Sequence, residues 1–138
     1  MQSNYFNIPN PETYKCTIWR YAATHSLMYV RAEEWGVDRK PNLLWLRFTQ
    51  VHYFEGPTQW LGANFSVATD EESKELWWKL YPKFRGIEDV LDRVSPAALL
   101  TVTTDNFRIR ILSDWAEIDE SHPSFPIEKW IMNIEMNK

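Results

Sequence analysis

The sequence predicts one α+β domain: a twisted, mainly antiparallel sheet of about six strands, with one main helix at about 70–81 packed on one face. Three observations predict it. Apolar and aromatic residues recur at every second position through much of the chain, the pattern of pleated strands. Short turn signals separate those runs, as hairpins require. One segment, opened by Thr69, carries a helix-start signature, and an amphipathic helix buries its stripe only against another layer.

The elements follow in order. Residues 1–12 hold Asn4, Asn7, Pro9, Asn10 and Pro11, and read as a loop or loosely tied arm ahead of a domain at 13–138. Tyr14 to Ala22 alternates as a strand. Leu27 to Ala32 reads as its hairpin partner, across a turn at Ala23, Thr24 and His25. Glu33 to Asn42, with Gly36, Asp38 and Pro41, reads as a loop. Leu43 to Phe54 is apolar on both parities and rich in branched and aromatic residues, so it is expected as a long central strand. A turn at Glu55–Thr58 returns the chain as a fourth strand, Gln59 to Ala68, with Leu61, Ala63, Phe65 and Val67 on one face.

Thr69 is placed to cap a helix, and Glu72 to reach back and close a capping box. Asp70, Glu71 and Glu72 suit the positive end of the helix dipole. The pairs Leu76/Leu80 and Trp77/Tyr81 form a stripe, and Pro82 stops the helix. Ile87, Val90, Leu91 and Val94 predict a further helical turn or two, ended by Ser95-Pro96. Leu99–Thr104 and Phe107–Leu112 form a hairpin about Asp105-Asn106, residues that tolerate positive φ. Ser113 to Ser121 can extend that strand. Ile127 to Met136 fits either a helix or a strand, and Pro126 in a first turn favours the helix.

Composition narrows the class. The chain has 138 residues, 44% hydrophobic and 25% charged, which suits one packed core. Its net charge of −4 opposes nonspecific nucleic-acid binding, which needs positive potential. No apolar run reaches the length of a membrane span, and the start has no basic region leading into an apolar stretch. With a single cysteine, Cys16, no internal disulfide forms, and a cytoplasmic location is expected.

No phosphate-binding glycine loop, G-x-S-x-G elbow, H-E-x-x-H or EF-hand pattern is present. His25, His52 and His122 show no ligand-like spacing, so neither a metal nor a cofactor is expected. Cys16 alternates as a buried strand residue rather than a nucleophile. Glu117 and Asp119 share a strand face and are the pair most able to act as acid and base, or to hold Mg²⁺. A solvated strand end explains them as well.

The most informative constellation is arginine beside rings. Tyr29 and Arg31 share a strand face, as do Trp45 and Arg47, and Arg108 and Arg110 repeat the motif beside Phe107. Neighbouring strands of this kind form a ringed cationic surface able to stack a planar group or grip an anion. Cross-strand ion pairs and cation–π contacts explain the same residues without a ligand. Trp60 and Phe54 stand near a hairpin tip, as anchors for a partner or as packing for the loop.

The expected function is a non-catalytic protein-interaction module of inhibitor or adaptor type, with another protein or a second copy as partner. Two other classes stay open: a small-ligand-binding module with a pocket lined by rings and arginines, and a hydrolase without a local motif. Tyr29, Arg31, Trp45, Arg47, Trp60, Arg108 and Arg110 are the candidate ligand- or partner-binding residues.

Overall fold

The computed structural model describes residues 4–22, 26–35, 41–94 and 96–119. The turn holding His25, the centre of the loop at 36–40, Ser95, and everything from 120 on, including His122 and the element at 127–136, lie outside the described residues.

The described residues form a curled antiparallel sheet of seven strands with one main helix. The strands are β1 (Lys15–Ala22), β2 (Leu27–Trp35), β3 (Pro41–Glu55), β4 (Gln59–Leu61), β5 (Ser66–Val67), β6 (Ala98–Thr103) and β7 (Arg108–Ile118). Their order is β4-β1-β2-β3-β7-β6-β5, so β3 is central, as its two-sided apolarity predicts. The helices are α1 (Asp70–Leu80) and the single turn α2 (Val90–Arg93).

The count of about six strands is corrected to seven at the expected fourth strand, Gln59 to Ala68. That run divides into β4 and β5, which sit on opposite edges of the sheet. Laid flat, the edges of seven strands would stand about 29 Å apart. The step from Leu61 to Ser66 spans at most ~18 Å. The sheet must therefore curl until its edges approach. Gly62 marks the meeting point: its N–H donates to Tyr14 O beside β1, and a Cβ there would lie 3.8 Å from Val102 Cγ1 on β6. Its φ of +120° suits glycine and breaks the expected alternation, so Leu61 is exposed while Trp60, Ala63 and Phe65 are buried.

The inside of the curl is the main core, built from Cys16, Val30, Leu46, Phe48, Leu100, Val102, Ile109 and Ile111 among others. The arm at 4–12 is not loosely tied. Phe6 and Ile8 are buried in that core, and the Phe6 ring stands edge-on to Phe48 and Phe65. Tyr5 N–H donates to Phe65 O, and Asn4 brackets Ile8 through its side-chain amide. Asn4, Asn7 and Asn10 all take positive φ near 50°, a conformation asparagine tolerates, which explains the asparagine-rich text.

A second cluster lies outside the curl. Leu76 and Trp77 of α1 join Leu99 of β6, Leu112 of β7, Ala68 and Val90, with Tyr53 packed alongside. Thr69 caps α1 by accepting the Glu72 N–H. The capping box is not completed, because the Glu72 carboxylate turns to Arg108 and Arg110. The β6–β7 hairpin forms without positive φ at Asp105 or Asn106. Thr104 closes a four-residue loop instead, accepting from Phe107 N–H and donating to Phe107 O.

Candidate functional site

The strand register brings four of the predicted residues together. Tyr29 stands opposite Arg47 and Arg31 opposite Trp45, across β2 and β3. They lie on the outer side of the curl, where Tyr29 and Trp45 form a small cluster separate from the main core. Their rings meet edge-on at 6.4 Å. On β1 a bulge between Ile18 and Arg20 leaves Trp19 without an opposite residue on β2. Its ring reaches across β2 to stand 5.7 Å from Trp45, with the Arg31 guanidinium 4.7 Å from its centre. Trp19 is 40% exposed, whereas the bulge sets Tyr21 opposite Met28, on the other side of the sheet.

Both guanidiniums of this face already have carboxylates. Arg31 donates to Glu33 at 3.3 Å, and Arg47 pairs with Glu117 and lies 3.7 Å from Asp119. Tyr29 donates to Asp119 at 3.3 Å. Burial, with the Asp119 charge, lifts the Tyr29 phenol above its ordinary pKa against the pull of Arg47. Glu117 and Asp119 thus meet at Arg47 as ion-pair partners.

Arg108 and Arg110 form a different arrangement. Arg108 grips Glu72 through both guanidinium tips, at 2.5 and 2.7 Å, and Arg110 bonds Glu55 at 2.9 Å and Glu72 at 3.4 Å. Arg110 also lies over the Tyr53 ring at 5.5 Å. Burial pushes the Glu72 pKa upward, but the two arginines outweigh it and hold the carboxyl below its usual range. Hydrogen bonds from Tyr53 and Arg110 lower Glu55. These arginines therefore pin the first turn of α1 to β7.

Trp60 is not at an exposed tip. It is buried in the main core, edge-on to Phe65, with its indole N–H on Gly62 O at 2.8 Å. The reason is the pairing of β4 with β1, which points Trp60 inward opposite Cys16. Cys16 is fully buried and its thiol is pushed up to about 12 by burial, so it carries no thiolate at neutral pH.

One cluster has no local signal in the sequence. A bulge in β3 between Val51 and Tyr53 sets His52 against α1, 5.0 Å from the Trp77 ring. Its Nδ1 meets the Tyr81 hydroxyl at 3.0 Å and its Nε2 meets Asp114 at 2.8 Å. Tyr81, His52 and Asp114 come from three separate segments, and only the bulge unites them. Beside it, a cleft of about 270 Å³ opens between Ile18, Tyr21, Met28, Val51, His52 and Phe54. A second, of about 180 Å³, lies by Tyr5, Asp114 and the 57% exposed Trp115. Neither cleft includes Tyr29, Arg31, Trp45 or Arg47.

No group of three or more metal-ligating side chains occurs among the described residues, and no helix among them is long and apolar enough to cross a membrane. Compared with family models, curated proteins and solved structures, the chain matches none of them.

Proposed function

We propose that this chain is a non-catalytic recognition module that grips another polypeptide through the outer face of β1, β2 and β3. The observation that carries the reading is the gathering of Tyr29, Arg31, Trp45 and Arg47 on one face, with Trp19 exposed beside them. Rings and arginines are the residues from which protein interfaces build their anchors. Here Trp45, Tyr29 and the ion pairs hold the surface rigid, so little ordering entropy is lost on binding.

The small-ligand reading draws support from the cleft beside Tyr21 and His52, whose 270 Å³ falls below the range usual for ligand pockets of ~300–1,000 Å³. It therefore ranks second. Affinity capture from the native cell, with native mass spectrometry, separates the two. The recognition reading expects a stoichiometric polypeptide that is lost in Trp19→Ala and kept in Tyr21→Ala, with the circular dichroism spectrum kept in both. A bound metabolite in place of a polypeptide would transfer the assignment to the cleft.

A further inference from the structure

A third cleft opens at the end of α1, away from the recognition face. The helix gives way at Tyr81 and Pro82 to a turn closed by backbone bonds from Phe84 N–H to Tyr81 O, Arg85 N–H to Pro82 O and Ile87 N–H to Phe84 O. The Trp78 indole N–H donates to Ile87 O at 3.1 Å and ties the helix to that turn. The cleft holds about 460 Å³ and is lined by Glu75, Trp78, Lys79, Pro82 and Arg85. Its volume lies inside the ~300–1,000 Å³ usual for ligand pockets, and the two clefts described above fall short of it.

The charged groups of this cleft are unpaired. Among the described residues, Arg31, Arg47, Lys74, Arg93, Arg108 and Arg110 each meet a carboxylate. Lys79 and Arg85 meet none. Glu75 and Lys79 stand at the i,i+4 spacing that favours an ion pair, yet they do not form one. The helix dipole accounts for Lys79 in the last turn of α1. Its field also reaches Glu55, as the least of the influences that lower that carboxyl, after the Tyr53 and Arg110 hydrogen bonds. Neither reason extends to Arg85, which lies beyond Pro82 in a chain of net charge −4.

Two cations lining one cleft suit an anion, and a phosphate dianion suits a guanidinium fork and an ammonium together. The Trp78 ring, fixed by its N–H, stands beside Pro82 as a wall for a planar ring. Glu75 opposes a bare anion but accepts from a hydroxyl or amino group. We infer that this cleft binds a nucleoside monophosphate, a ligand that has all three parts. Lys79 and Arg85 take the phosphate, Trp78 stacks on the base, and Glu75 accepts from a sugar or base donor. The site is separate from the β1–β3 face, and the recognition reading stands or falls without it.

The test uses the full chain labelled with ¹⁵N. Eight tryptophans give eight indole N–H signals, and Trp78→Phe identifies one of them. AMP should shift the Trp78 signal saturably. Adenosine and inorganic phosphate each carry one part of the ligand and should bind about tenfold more weakly or worse. Arg85→Gln removes an exposed cation and should weaken AMP about tenfold while leaving adenosine unchanged. Arg93→Gln, outside the cleft, should leave AMP unchanged. Glu75→Gln should weaken AMP but not phenyl phosphate, which has no hydroxyl or amino donor. Calorimetry on the same proteins reads these affinities without the assignment. A Trp78 signal unmoved by AMP, phosphate bound as tightly as AMP, or equal losses in Arg85→Gln and Arg93→Gln would overturn the inference.

Discussion

The outer side of the sheet has two halves built from the same local text and put to different uses. Each half sets arginines beside rings on neighbouring strands. On the β6–β7 half, Arg108 and Arg110 meet Glu72 and Glu55, and α1 brings Leu76 and Trp77 against Leu99 and Leu112. On the β1–β3 half, Arg31 and Arg47 meet carboxylates of the sheet itself, and Trp19 stays exposed. The difference lies in where the partner carboxylate comes from. A carboxylate on a helix turns an arginine into a clasp between layers. A carboxylate on the sheet leaves the arginine in a rigid surface with its rings still available.

The largest effect that tests this contrast is at the roofed half. Trp77 packs in the outer cluster and stacks on Tyr81 at 5.1 Å. Trp77→Ala should destabilise the fold by about 3–5 kcal/mol, read as a fall in the urea midpoint. A loss below about 1 kcal/mol would mean that α1 adds little to the sheet, and the two halves would no longer differ.

Legibility follows the range of the interaction that places each residue. β3, α1 and the β6–β7 hairpin were readable because period and capping act over a few residues, although Thr104 and not a positive-φ turn at Asp105-Asn106 closes the hairpin. The shared parity of Tyr29 with Arg31 and of Trp45 with Arg47 was readable for the same reason. Their registration across β2 and β3 was not, since it depends on the hairpin between them. Residues 59–68 misled because Leu61, Ala63, Phe65 and Val67 do alternate, yet Gly62 reverses the backbone where the two sheet edges meet. Trp60 followed that error, moving from an expected tip into the core. Phe6 and Ile8 were hidden in polar text, since the arm's role is to fill a curl that only the whole sheet creates. The His52–Asp114–Tyr81 cluster depends on a bulge, which no spacing in the sequence announces.

A smaller effect should appear at the clasp, and it carries a pH signature. Glu72 and Glu55 have folded-state pKa values below their ordinary ones. The unfolded chain therefore binds protons first as pH falls, and stability drops. The clasp contributes fully above the unfolded carboxylate range near ~4.3, and its contribution is lost as pH falls through the lowered folded values. Glu72→Gln should cost about 1–2 kcal/mol at pH 7, the carboxylate being about one-fifth exposed and partly screened. The same substitution should flatten the acid limb of the stability curve between about pH 5 and 3. An unchanged acid limb would show that the clasp is not what couples the helix to pH.

The smallest effect belongs to the open half, and its smallness is the point. Trp19 touches the Trp45 ring and the Arg31 guanidinium, but two-fifths of its surface faces solvent. An exposed cation–π contact and an edge-on ring pair are each worth about 0.5–1 kcal/mol, and the apolar surface removed with Trp19 is only half buried. Trp19→Ala should therefore lower stability by about 1 kcal/mol, the low end of those contributions, in the same urea titration, against the several expected at Trp77. A ring of that size kept on a surface for so little stability is what a binding anchor looks like, whereas a core ring repays its area in folding. Should Trp19→Ala cost as much as Trp77→Ala, the β1–β3 half would be a second roofed core, and its rings would be packing rather than recognition.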